Sequence, residues 1–161
     1  MVSGQWSVNP SRERRRAHAE AIVVGFRWAR HPGGRVTARL RRLAVTALGR
    51  LGVEAGEVGV LVCDDETIRT LNRDFRHKDA ATDVLSFAGG ESEPGGPSYL
   101  GDVAISLETA CRQAAAAGLT PERELETLLL HALIHLMGYD HENDRGEMTA
   151  LEKKLRGELL E

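Results

Sequence analysis

Aromatic residues are scarce: two Trp, two Tyr and three Phe among 161 positions, or 4% of the chain. Proteins that grip single-stranded nucleic acid by stacking its bases need an aromatic platform, so this scarcity argues against that mode and favours backbone contact. Cysteine is nearly absent as well. Cys63 and Cys111 are too few for a disulfide framework. Cys63 sits in an apolar run and Cys111 in an alanine-rich stretch, and both are expected to be small core residues. No apolar run approaches the ~18–20 residues of a membrane span, and the N-terminus lacks the apolar stretch of a signal peptide. The expectation is a protein of the reducing cytoplasm that makes no membrane contact.

Charge is unevenly supplied. Residues 1–78 hold 15 Lys and Arg against 8 Asp and Glu, and residues 79–161 hold 6 against 16, so +7 and −10 combine to the net −3. A basic half suggests a polyanionic partner, and Arg provides nearly all of it. For Arg39, Arg41, Arg42 and Arg50 a solvated helix face is an equally good reading.

At 161 residues with 42% hydrophobic content, the chain fits one globular domain with a real core. Residues 1–20, with Arg14-Arg15-Arg16, have no periodicity and are expected to form a flexible basic arm ahead of a single domain spanning 21–161. Strands are expected over 21–28, 58–63, 84–87 and 99–105. Helices are expected over 36–51, closed by Gly52, and after Asp64, where Ile68, Leu71 and Phe75 keep a helical stripe. A third follows Ser106 and ends at Gly118. A fourth starts at Thr120-Pro121-Glu122 with a cap residue, an N1 proline and an acid, and a last one runs from about Asp144 to Leu160. The Gly/Pro-rich stretch 89–98 is expected to be a mobile loop. The fold class is therefore α/β (α+β), a small mixed sheet of about four strands covered by about five helices.

The densest information lies in His131-Ala132-Leu133-Ile134-His135-Leu136-Met137-Gly138-Tyr139-Asp140-His141. Two histidines four apart share one helix face and can converge on a single ion. Gly138 lets the chain fold back and deliver the third. The carrying helix is apolar nearly all round, and imidazoles buried there are costly unless each finds a partner, which a metal supplies. Three imidazoles with no fourth protein ligand describe a catalytic zinc site, where bound water acquires a pKa of about 7.

Leu71-Asn72-Arg73-Asp74-Phe75-Arg76, Thr82-Asp83-Val84-Leu85-Ser86-Phe87, Gly101-Asp102-Val103-Ala104-Ile105 and the histidine motif, in that order, resemble the YbeY family of bacterial rRNA maturation factors. The resemblance runs from about residue 55 to 155. It implies a zinc-dependent, single-strand-specific endoribonuclease acting in small-subunit rRNA 3′-end maturation and ribosome quality control, with one Zn2+ per chain and no organic cofactor. Its partners would be single-stranded rRNA, the small ribosomal subunit and assembly factors. The metal ligands it implies are His131, His135 and His141, and its functional arginine is Arg76, which local sequence alone would place in a surface ion pair with Asp74 or Asp79.

The chain departs from the family pattern at Ala132, where glycine is usual, and in the extra N-terminal residues. Zinc peptidases of the H-E-x-x-H type carry their general base at the position of Ala132, so a metzincin-like metalloprotease ranks second. A non-catalytic zinc-containing ribosome assembly factor ranks third and would need a fourth ligand such as Cys63 or Cys111. Asp102 is a candidate general base, though a strand-end or turn carboxylate is the plainer reading. Asp140 could orient a histidine or cap a turn, and Thr82-Asp83 could cap the start of a strand beside the site or contact RNA, with capping at least as good a reading.

Overall fold

A computed structural model describes residues 21–30, 33–90, 98–140 and 144–160. The expected N-terminal arm, the tip of the glycine-rich loop and His141 lie outside the described residues.

Four strands form one sheet in the order β1-β2-β4-β3: β1 is Ile22–Trp28, β2 Gly56–Cys63, β3 Val84–Ala88 and β4 Tyr99–Ser106. β1, β2 and β4 run parallel, and β3 pairs antiparallel with β4 at the edge. Among the described residues, five helices surround it: α1 Gly34–Arg50, α2 Asp65–Arg76, α3 Leu107–Ala117, α4 Pro121–Leu136 and α5 Glu147–Leu159. The architecture is the expected mixed sheet under helices.

Strand alternation separates two apolar clusters. Val24, Val58, Val60, Val62, Val103 and Ile105 face α1, α4 and α5 in the main core. Leu61, Cys63 and Ala104 point the other way, against Ile68 and Leu71 of α2. β2 is buried along its whole length, as suits a central strand covered on both faces.

The expected caps are present. Asp64 Oδ1 accepts from Thr67 N at 2.8 Å, Ser106 Oγ from Thr109 N at 3.2 Å and Thr120 Oγ1 from Arg123 N at 3.2 Å. Each satisfies an orphan helix N–H, a contribution of about 1 kcal/mol. Gly118 ends α3 at φ +71°. The last helix begins later than expected, at Glu147, because Asp144 folds the preceding turn onto itself by accepting from Gly146 N and Met148 N, both at 2.8 Å.

Cys111 corrects an expectation. It lies on the solvent side of α3, whereas Ala110 and Ala114 supply that helix's buried face. Cys63 is in the core as expected, where burial pushes its thiol up to about 12.

Candidate functional site

The C-terminal half of helix α4 is largely apolar. Leu125, Leu128, Leu129, Leu130, Leu133 and Ile134 are buried, while His131 and His135 occupy one stripe, half-exposed. Their rings stand 4.8 Å apart between centroids at an angle of 73°. α4 ends one residue beyond His135, and Gly138 takes φ +95°, a left-handed conformation that turns the chain out of the helix as the motif anticipated. Gly138, Tyr139 and Asp140 then form one wall of a groove of about 520 Å³, whose other wall is Val84, Leu85, Ser86 and Ala88 of β3.

Arg76 enters this groove from the opposite side of the sheet. It is the last residue of α2, and its guanidinium reaches round the edge of β3, where Nη2 donates to the carbonyl of Ser86 and the group lies 5.5 Å from the Phe87 ring centroid. The surface ion pair considered for it does not form: Asp74 pairs with Arg73 at 3.2 Å and Asp79 with Arg69 at 2.8 Å. Lys78 lines the same groove.

A carboxylate that sequence reasoning missed supports the first histidine. Glu152, on α5, lies 3.0 Å and 3.2 Å from His131 Nδ1 through its two oxygens. This bond holds the imidazole above its ordinary pKa, against the opposing effect of burial. Donation from Nδ1–H to a carboxylate leaves the lone pair on Nε2, the tautomer that a metal-ligating histidine uses. The donor set therefore fits a metal as far as it is described. Two imidazoles converge and one is held by a carboxylate, while His141 lies outside the described residues. Among the described residues no group of three metal-ligating side chains assembles. Glu152 stands 21 positions from His131, and no local pattern could have singled it out.

Other expectations land elsewhere. Asp102 is neither in the groove nor at a strand end; it sits inside β4 opposite Phe87 and Gly59, on the face away from α4, and accepts from the Tyr99 hydroxyl. Burial pushes its carboxyl up and the Tyr99 bond draws it back. Asp83 caps the start of β3 as expected, accepting from Val84 N at 2.8 Å. Asp140 lines the groove. Ala132 is fully buried in the main core and its carbonyl accepts from Ser86 Oγ at 3.3 Å, so β3 and α4 meet closely there with alanine in place.

Three of the four α1 arginines have structural partners. Arg39 pairs with buried Glu126, Arg41 donates to the Val24 carbonyl at 3.1 Å and lies over Phe26, and Arg50 meets Glu158 at 2.8 Å. These three therefore help to hold α1 in place. Among the described residues no helix is long and apolar enough to cross a membrane.

Known proteins resemble this chain over most of its length. The family model for endoribonuclease YbeY matches residues 35–159. An endoribonuclease YbeY of Geobacter sulfurreducens is 44% identical over 138 residues, covering 84% of this chain and 91% of that protein. One from Solibacter usitatus is 48% identical over 129 residues, covering 78% and 84%. One from Anaeromyxobacter dehalogenans is 47% identical over 125 residues, covering 77% of this chain, which spans only 64% of that protein's length. The solution structure of TM1509 from Thermotoga maritima superposes with a TM-score of 0.56 at 25% identity, over 85% of this chain and 90% of that one. With the family model spanning strands β2 to β4, the groove and the histidine helix, the chain belongs to the YbeY endoribonuclease family.

Proposed function

We propose that this member of an endoribonuclease family is a zinc-dependent, single-strand-specific enzyme that cuts small-subunit rRNA, with one metal ion per chain held by His131, His135 and His141. The observation that carries the reading is the convergence of His131 and His135 with Arg76 on one groove. A bound zinc ion would supply Lewis acidity and an activated water near neutral pH.

The chain's own residues do the rest. Glu152 fixes the orientation and tautomer of His131. Arg76 uses one of its five N–H donors on Ser86 O and keeps the others for phosphate oxygens, where a planar cation stabilises the negative charge that develops during phosphodiester cleavage. Single-strand specificity, the ribosomal subunit, its assembly factors and a cytoplasmic location rest on the family resemblance.

Two observations weigh against a metzincin-like protease. A glutamate at position 132 would enter the core rather than the groove, because Ala132 is 0% exposed. An extended peptide adding to β3 would need the outward carbonyl of Ser86, which Arg76 already occupies. The structural-zinc alternative loses its sulfur ligands: Cys63 is buried behind the sheet, Cys111 faces solvent on α3, and neither lines the groove.

Arg76→Ala tests the assignment. It should retain fold and metal but lose cleavage by about 100-fold or more, the scale of a lost charge-stabilising donor. A fully active variant would remove Arg76 from the chemistry.

A further inference from the structure

The groove holds a second cation and a row of backbone donors to which no role has been given. In the antiparallel pairing of β3 with β4, Asp83 O accepts from Ser106 N at 2.9 Å and Gly89 N donates to Leu100 O at 3.0 Å, so positions 83, 85, 87 and 89 turn their backbone groups toward β4. Positions 84, 86 and 88 turn theirs outward, to the free edge and the groove. Val84 N is taken by Asp83 Oδ1. The N–H groups of Ser86 and Ala88 have no hydrogen-bond partner among the described residues, and both residues line the groove.

Lys78 is brought to the same place by a specific turn. α2 stops at Arg76, and His77 takes a left-handed conformation, φ +59°, unfavourable for a residue with a side chain. The turn is held by buried Asn72. Its carbonyl accepts from Lys78 N at 3.2 Å and its side-chain amide donates to Ala80 O at 2.9 Å. Of the acids nearby, Asp74 is engaged by Arg73 and Asp79 by Arg69, while Asp140 lines the groove, and no salt bridge reaches Arg76 or Lys78 among the described residues.

We infer that an RNA strand lies along the outer edge of β3, its phosphates held by Lys78 and Arg76 and by the N–H groups of Ser86 and Ala88, with Asn72 as the positioning residue for Lys78. This deepens the ribonuclease reading and rests on it. The occupant is a polyanion because the edge offers N–H donors and two cations, while its one central acceptor, Ser86 O, is taken by Arg76. A phosphodiester chain has no backbone N–H and loses nothing there; a peptide strand would.

The test is fluorescence anisotropy of a labelled 2′-O-methyl single-stranded RNA, checked to remain intact over the measurement, across a salt series, with wild type, Lys78→Gln and Ala88→Pro, and with cleavage of the ordinary RNA measured alongside. Lys78→Gln should weaken binding about tenfold and reduce the magnitude of the log–log salt slope by about 0.7, the share of one phosphate contact on a single strand. Ala88→Pro removes a neutral donor at an edge position that tolerates proline, so it should weaken binding with the salt slope unchanged. If wild type binds and cleaves while Lys78→Gln keeps the same affinity and slope, this inference is overturned and the ribonuclease reading stands. If wild type neither binds nor cleaves, both fall. Displacement of the RNA by an uncharged extended peptide at similar affinity would overturn the choice of occupant.

Discussion

Glu152 is the residue whose removal separates this site from an ordinary pair of helix histidines. Its carboxylate lies 3.0 Å from His131 Nδ1, in a half-buried setting where the glutamate side chain is 14% exposed and the histidine 29%. Replacing it by alanine frees the ring to rotate and leaves Nδ1–H to be satisfied by water. Carboxylate partners of metal-ligating histidines typically alter metal affinity by about 10- to 100-fold, or roughly 1.4–2.8 kcal/mol. Glu152→Ala is therefore expected to bind zinc 10- to 100-fold more weakly. Glu152→Gln, which keeps a hydrogen-bond acceptor but no charge, should fall between the variant and wild type. Competition with a chromophoric chelator gives the affinities, and urea unfolding of the metal-free proteins controls for loss of fold. Wild-type zinc affinity in Glu152→Ala would refute the orienting role and weaken the whole metal assignment.

Ala132→Glu should not confer peptidase activity and should cost about 3 kcal/mol or more in urea unfolding, since it places a carboxylate in a fully buried core position; a stable variant that cleaves peptides would reverse the ranking of nuclease over protease. Acid stability should depend on Asp65, which accepts from Ser106 Oγ at 2.5 Å, Thr109 Oγ1 at 2.7 Å and Arg112 Nη2 at 2.8 Å and so ties the start of α2 to α3. These bonds, that from Ser106 first, hold its carboxyl down to about 2. A depressed folded-state pKa gives stability that is present above the ordinary carboxylate value and is lost as pH falls toward 2. With the side chain 27% exposed, screening reduces the contribution to about 1 kcal/mol. Asp65→Asn should flatten the stability profile between about pH 4 and pH 2, and an unchanged profile would show that the network contributes nothing.

Much of the fold was legible because its signals are local. Asp64, Ser106 and Thr120 announce helix starts through a side-chain oxygen that reaches only three residues on, and the apolar stripes of α1 and α4 repeat within one element. The pair His131 and His135 was readable for the same reason, since helical periodicity alone puts them on one face. What escaped depends on contacts between distant elements. Glu152 meets His131 across 21 positions, Arg76 meets Ser86 only because α2 ends beside the β3 edge, and Asp102 turned out to face away from the groove because β4 alternates around Val103. Cys111 went to solvent since α3 needs only its alanine stripe for packing, and composition cannot say which side of an alanine-rich helix is buried.

The central claim is that the histidine groove cuts RNA with the help of a metal. Its most direct test is cleavage of a single-stranded small-subunit rRNA fragment by wild type and by an identically purified His135→Ala control, each with and without chelator. Cutting by wild type that disappears both on chelation and in the variant is the predicted result. Equal cutting by the two proteins, or cutting that survives chelation, would contradict it.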